Sequence, residues 1–460
     1  MVAVRAAVLA LAAGFLLVAS GCGSAPARTS AKNLGQDAAA LVPPDAIAFV
    51  SVDGNLDSEQ WQRLDDLTRG LRLRTQVLDQ VQKALREAQL DFDKDVRPAL
   101  GDELDVAVLG IEKGKPEAIV LTQPKDEAKL HSLVAAYDQH AEGYRVERIG
   151  DWSVVADSSE TFQKVREAES GRSLADVPWF KEASARISGD ALARAFASAD
   201  ALRSLPAEVG GLVRAAGSPR WVAARFEVQK DAVHLDLQAG SLSPAPTLYR
   251  PTLLRDVPSG AVLAVSFKDL DRPLARLAAE PALRDSFRQV ERYLGVPITR
   301  LAPALRGEGA FYVLPSAVLP IFALEVQSPN PQAAAAALRL VAAQVRTKTG
   351  NVLPLRVARY GSRVVLTDGP KTLRTGGGSL LDDQTFKDAV AAADVPEDVT
   401  WLAYADIQRL QPILQAIAAL TAGGQAQTQP PPMFDKLGTA VAFGARSGTT
   451  SRLELRLTIR

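Results

Sequence analysis

Ser173-Leu174-Ala175-Asp176-Val177-Pro178-Trp179-Phe180-Lys181 is answered later in the chain by Ser379-Leu380-Leu381-Asp382-Asp383-Gln384-Thr385-Phe386-Lys387. The match runs without a gap over Ser173–Arg203 and Ser379–Arg409, through Ala183/Ala389, Ala185/Ala391, Ala197/Ala403, Ala199/Ala405, Asp200/Asp406 and Arg203/Arg409. Two unrelated helices do not usually share so many identities in register. Weaker matches flank it in the same order. Pro44–Ser51 answers Pro258–Ser266, Trp152–Asp157 answers Ser362–Asp368, and His234–Leu237 answers Arg452–Leu455. The chain therefore reads as two tandem homologous modules, residues 41–240 and 250–460. A repeat of this length is a duplicated domain and not a solenoid.

Within the first module, apolar alternation marks short strands at Ala46–Val52, Leu104–Leu109, Ala118–Leu121, Tyr144–Ile149, Trp152–Ala156, Ala193–Ser198, Trp221–Val228 and Ala232–Gln238. Turns at Lys113-Gly114-Lys115-Pro116, Gly150-Asp151 and Lys230-Asp231 join several of them as hairpins. Helical spacing marks a long helix over Ser58–Gln89, with a break near Gly70, and another from Pro124 to His140. The fold class is α+β: a largely antiparallel sheet packed with helices, made twice. Gly423–Pro432 reads as a mobile loop in the second module.

The front of the chain is different. Arg5 precedes an Ala/Leu/Val/Phe run that ends in Val18-Ala19-Ser20-Gly21-Cys22, and Cys22 is the single cysteine. Residues 1–21 read as a secretory leader. Its end resembles the lipobox of bacterial lipoproteins, with Ala19 where leucine is commonest. The resemblance implies that the leader is cut before Cys22 and that the Cys22 thiol carries lipid. Acyl chains contribute about 0.8 kcal/mol per buried methylene, so several anchor firmly where one barely does. With Cys22 occupied, no disulfide is available, and folding rests on burial. Residues 22–40 read as the lipid anchor and a flexible tether.

Leu41-Val42-Pro43-Pro44-Asp45-Ala46, Glu59-Gln60-Trp61 and Asp91-Phe92-Asp93-Lys94-Asp95-Val96-Arg97-Pro98-Ala99-Leu100-Gly101-Asp102-Glu103 resemble an uncharacterised family of exported bacterial, mainly actinobacterial, proteins, filed as a domain of unknown function. The resemblance spans most of residues 41–460. It implies location and fold, and carries no catalytic residues.

A search of the residues for chemistry returns little. Lys+Arg and Asp+Glu are equal at 53 each, so no net field draws nucleic acid. Asp91, Asp93, Asp95 and Asp102 start like a calcium loop, but Val96 stands where that loop needs glycine, and Pro98 is out of keeping. His131 and His140 fall on opposite faces of one helix, His234 falls on the polar face of a strand, and each reads as a surface residue facing solvent. Neither Gly-x-Ser-x-Gly nor a phosphate loop occurs. Gly376-Gly377-Gly378-Ser379 precedes a helix and reads as a cap. In the paired motif, Phe180 and Phe386 read as core anchors, Asp176 and Asp382 as helix caps, and Lys181 and Lys387 as solvated. Trp61, Trp152, Trp179, Trp221 and Trp401 are spread along the chain and read as core.

The expectation is a lipoprotein on the extracytoplasmic face of a bacterial cell membrane. It is not an enzyme and has no cofactor or metal. It plays a binding or scaffolding role in the envelope, with an envelope protein or small ligand as partner. A carrier for a small apolar or lipid ligand held between the modules is the alternative, and an envelope hydrolase comes third.

Overall fold

A computed structural model describes residues 34–69, 79, 82, 83, 85–87, 89–112, 115–138, 143–316, 320–350, 353–369, 378–421 and 436–460. Cys22, the leader, His140, Gly376, Gly377, the Gly423–Pro432 loop and most of the helix expected over 70–88 lie outside the described residues. Two compact units emerge. Unit 1 runs to Ser204 and resumes over Arg220–Gly240; unit 2 comprises Leu205–Pro219 and Ser241–Arg460.

Unit 1 contains β1 (Ala48–Asp53), β2 (Glu103–Glu112), β3 (Lys115–Thr122), β4 (Arg145–Ile149), β5 (Trp152–Ala156), β6 (Ala193–Ser198), β7 (Trp221–Val228) and β8 (Ala232–Gly240). They lie side by side as β8-β7-β6-β1-β2-β3-β5-β4. All these pairings are antiparallel. Phe49 and Ala107 from the middle strands, Phe196 and Trp221 from their neighbours, and Phe162, Leu174 and Phe180 from the covering helices close one core. Phe180 meets Phe49 edge-on at 5.8 Å and Phe196 at 4.8 Å between ring centroids. The helix Glu59–Thr68 is locked by Trp61, whose indole N–H donates to the Asp53 carbonyl at 2.7 Å, and by Gln60, which accepts from the Val228 N–H at 2.7 Å.

The other sheet face is also apolar. Val50, Val106, Val108, Ala195, Ala224, Phe226, Leu235 and Leu237 are all half-buried.

Unit 2 contains β9 (Leu263–Lys268), β10 (Glu308–Leu314), β11 (Ile321–Gln327), β12 (Arg356–Tyr360), β13 (Arg363–Thr367), β14 (Trp401–Asp406), β15 (Leu437–Ser447) and β16 (Thr450–Ile459). They run β16-β15-β14-β9-β10-β11-β13-β12, again antiparallel throughout. Tyr312, Tyr404, Phe386 and Phe443 fill the core on one face. The helix Pro331–Lys348 covers Val364 and Leu366 on the other.

Glycines meet aromatic rings across paired strands in both units. Trp221 lies opposite Gly240, Phe267 opposite Gly309, and Trp401 opposite Gly444. A Cβ on Gly240 would stand 2.3 Å from the Trp221 indole nitrogen, and one on Gly309 2.2 Å from the Phe267 ring. The missing side chain leaves room for a ring to lie across the strand.

Three sequence expectations need correction. The tether expected over 22–40 is folded from residue 34 onward: Leu34, Ala38 and Ala39 are buried, and Ala38 and Ala39 belong to the unit 1 core. The boundary of the first module is interrupted, because the helix Ala207–Ala216 packs within unit 2. Arg214 pairs with Glu280 at 2.5 Å, and Gly211 lies against Glu280 and Ala282.

The third correction is to the ungapped match. Ser173 and Ser379 each start a short 3-10 turn with a reciprocal cap from Asp176 and Asp382. Leu174 N–H donates to the Val42 carbonyl and Leu380 N–H to Val257, both at 2.8 Å. Phe180 and Phe386 are therefore equivalent. The next helix is Pro178–Ser184 in unit 1 but Gln384–Ala392 in unit 2. That difference shifts the register by two. Ser198, at the end of β6, takes the place of Asp406 at the end of β14: each N–H donates at 2.8 Å to the first strand's approach, Ile47 or Val262. Each then caps the helix that follows, through the Ala201 N–H and the Arg409 N–H. The pairs Ala197/Ala403, Ala199/Ala405, Asp200/Asp406 and Arg203/Arg409 are identities of sequence and not of position.

Candidate functional site

Alternation along β8 puts His234, Asp236 and Gln238 on one face. That face turns inward: Asp236 and Gln238 are buried, while Leu235 and Leu237 are half-buried on the other side. The expectation that His234 faces solvent is thereby corrected. His234 Nδ1 lies 3.6 Å from Glu227, with little of either side chain exposed, and contact with His234 holds the Glu227 carboxyl below its usual range.

The strand register continues this polar face across the sheet. Asp236 opposes Arg225, Arg225 opposes Arg194, Arg194 opposes Ser51, and Ser51 opposes Asp105. Directly opposed residues of antiparallel strands share a face, so five polar side chains form one row. Glu103 and Asp53, themselves opposed, extend it toward one end.

Most members are tied locally, while both carboxylate oxygens of Asp105 are buried with no hydrogen-bond partner among the described residues. Arg225 donates to the Ser188 carbonyl at 3.0 Å, and Gln238 donates to Arg186 at 3.0 Å and to Asp236 at 3.3 Å. Arg194 donates to the carbonyls of Gly189 and, at 3.0 Å, Leu34. Glu103 accepts from the Gly35 N–H at 2.5 Å and from the Ser51 hydroxyl at 3.1 Å. Asp53 accepts from the Asn55 N–H at 3.0 Å.

Burial governs the protonation of the acids. Asp105 is fully enclosed, and burial together with the Glu103 charge pushes its pKa well up. Glu103 is raised as well, chiefly by burial, against the hydrogen bonds it accepts. The physical picture is a carboxylic acid beside a carboxylate: two buried charges this close cannot both ionise cheaply. Asp53 is pushed up to about 6 by burial.

This last shift sets a pH dependence. The unfolded Asp53 carboxyl titrates near 3.8 and the folded one near 6, so the native state holds the proton more tightly. The associated stability is fully present below pH 3.8 and is lost as pH rises through about 6, a loss of ~3 kcal/mol. Glu103 and Asp105 act in the same direction. Asp53→Asn keeps the oxygen that Asn55 needs and cannot ionise. Denaturant unfolding across pH 4 to 8 should show a shallower fall for the variant and higher stability than wild type at pH 8. Parallel profiles would show that Asp53 does not titrate in this range.

Unit 2 lacks this row. The positions in line with Ser266 are Glu454, Phe443, Leu402, Ala310 and Glu325. Ser266 there meets the Tyr249 hydroxyl at 2.8 Å, and Glu325 pairs with Arg363 at 3.2 Å.

The other residues singled out from sequence remain apart from the row. Asp91 caps the Lys94 N–H, Asp95 pairs with Lys129 at 2.9 Å, and Asp102 stands 3.7 Å from Lys125. Among the described residues, no group of three or more acids, histidines or cysteines could hold a metal. His131 is exposed. Lys181 and Asp176 form an exposed pair at 3.3 Å, and Phe180 and Phe386 are buried as expected. The polar row escaped sequence reading because its members lie on five strands. Only the register brings them together.

A family model described as a protein of unknown function (DUF3352) matches residues 1–148. The stretches that carry the sequence resemblance, within 41–103, all fall inside that match. No curated protein matches the chain. Crystal forms I and III of TP0453 are similar at 9% and 8% identity, with TM-scores of 0.19 and 0.17. These alignments cover 72% of this chain and 91% and 92% of those chains. Scores this low carry no argument about fold or function.

Proposed function

We propose that the chain is a lipid-anchored protein of the extracytoplasmic membrane face, with a binding or scaffolding role and no catalytic one. The observation that carries the reading is the leader-like run over residues 1–21, placed directly before Cys22, the single cysteine. Among the described residues no helix is long and apolar enough to cross a membrane. In the polar row of unit 1, Glu103, Arg194, Arg225 and Gln238 are tied to backbone groups, an arrangement suited to holding structure more than to meeting a substrate.

The half-buried apolar face of unit 1 supports a binding role. It also favours the second reading, a carrier of an apolar ligand. Organic extraction of the purified chain separates the two, since a carrier brings lipid with it beyond its own anchor.

We also read the two units as copies of one module. Support comes from the shared strand order, the reciprocal caps at Ser173 and Ser379, and the matching bonds of Leu174 and Leu380.

Cys22→Ala tests the anchor. The wild-type chain should sediment with membranes and partition into detergent. The variant should accumulate as uncut precursor or leave the membrane fraction. A variant with unchanged fractionation and unchanged mass would refute the anchor.

A further inference from the structure

The Arg194, Ser51 and Glu103 part of the unit 1 polar row lies against the N-terminal strap, and its two charges meet that strap's backbone. Glu103 accepts the Gly35 N–H, and Arg194 donates to the Leu34 carbonyl. Gly35 sits at φ +86°, a conformation that favours glycine. A Cβ there would stand 2.9 Å from the Phe49 ring and 3.0 Å from the Ser51 Cβ. The strap is therefore pressed onto the sheet face between Phe49 and Ser51. The 3-10 turn Ala38–Ala40 follows, with Ala38 and Ala39 fully buried, and the Val42 carbonyl accepts from Leu174 N–H. The strap is held at both ends.

A related device occurs in unit 2. Glu308 begins β10 as Glu103 begins β2, and it accepts from the Leu253 N–H and the Thr252 hydroxyl, both at 2.6 Å. Unit 1 adds Arg194, where the aligned strand position in unit 2 is Leu402. Burying an arginine is costly unless its donors are satisfied. In unit 1, the strap carbonyl of Leu34 supplies one of the acceptors.

We propose that Ser51, Glu103 and Arg194 form a clamp for the strap Leu34–Ala40, fixing where the chain leaves unit 1 toward Cys22. The clamp stands on geometry alone; its consequence for the membrane rests on the anchor reading. In the sequence, residues 23–33 lie between Leu34 and the lipidated cysteine. An extended chain spans at most about 3.6 Å per residue, which keeps Leu34 within roughly 40 Å of the bilayer. Unit 1 is then held close to the membrane, and any pull on the tether is borne by Glu103 and Arg194.

Amide hydrogen exchange on the full-length chain, read by mass spectrometry, tests the clamp. Arg194→Met and Glu103→Gln should speed exchange over residues 35–41 at least tenfold, with Arg194→Met the larger effect. Exchange in β1 and β2 should stay near wild type. Gly35→Ala acts from the strap side without touching a charge and should give the same pattern, so the test stands if Arg194→Met does not fold. Unchanged exchange over 35–41 in the folded variants would overturn the clamp. So would an equal rise across all of unit 1, because the row would then be ordinary core. A Cys22→Ala chain that stays with the membrane at unchanged mass would overturn the anchor reading and leave this exchange result standing.

Discussion

Phe180→Ala should cost about 3–5 kcal/mol of stability, the usual range for truncating a buried phenylalanine. Phe180 is 4% exposed and touches Phe49, Phe196 and Trp179. Its loss opens a space between a covering helix and two sheet strands, and neither neighbour can collapse into it without moving the strand pair. The charged members of the same motif should matter far less. Asp176 caps the Ser173 turn, and losing a cap costs roughly 0.5–2 kcal/mol. Lys181 is 60% exposed on an ion pair of 3.3 Å, so Lys181→Ala should leave stability nearly unchanged. Denaturant melts of the three variants check this order. Equal losses at Phe180 and Lys181 would mean that the motif is not held by its core residue.

Trp221 and Gly240 should show strong coupling. Trp221 is fully buried and lies across Gly240, and Trp221→Ala should cost about 3–5 kcal/mol. Gly240→Ala places a methyl where the indole now lies, with 2.3 Å to its nitrogen. Such overpacking should cost about 1–3 kcal/mol. In the double variant the clash is gone and the methyl fills part of the cavity. The double variant should therefore be more stable than the sum of the two single losses implies, by at least about 0.5 kcal/mol. Strict additivity across the cycle would show that the ring moves aside freely.

The elements were largely legible in the sequence, since each rests on local pattern. β5, β6 and β7 begin and end at the residues expected, and β8 runs to Gly240 in place of Gln238. The reciprocal caps at Ser173 and Ser379 were likewise readable, because they need only a serine and an acid three residues apart.

What alternation alone could not decide is which face of a strand turns inward. His234, Asp236 and Gln238 form the polar side of β8, yet that side faces the core, where the Arg186 carbonyl accepts from Gln238, Gln238 donates to Asp236 and Glu227 meets His234. The row from Asp236 to Asp105 depends on strand register, which is set by long-range pairing. The strap was missed for a related reason. Gly35, Ala38 and Ala39 are small residues that suit a linker by composition, and here the missing side chain of Gly35 lets the backbone reach Ser51 and Phe49 while Ala38 and Ala39 are buried in the unit 1 core. The two-residue slip after Phe180 and Phe386 was hidden by alanine, which recurs often enough to match in the wrong register.

The state of Cys22 decides most directly whether the chain is anchored by lipid. Mass spectrometry of the N-terminal peptide from chain extracted out of its own membrane decides it. The account predicts a mature chain that begins at Cys22, with the cysteine carrying diacylglycerol on its sulfur and a mass raised accordingly. An unmodified Cys22 inside a longer peptide, or a mature chain that starts beyond residue 22, would contradict it.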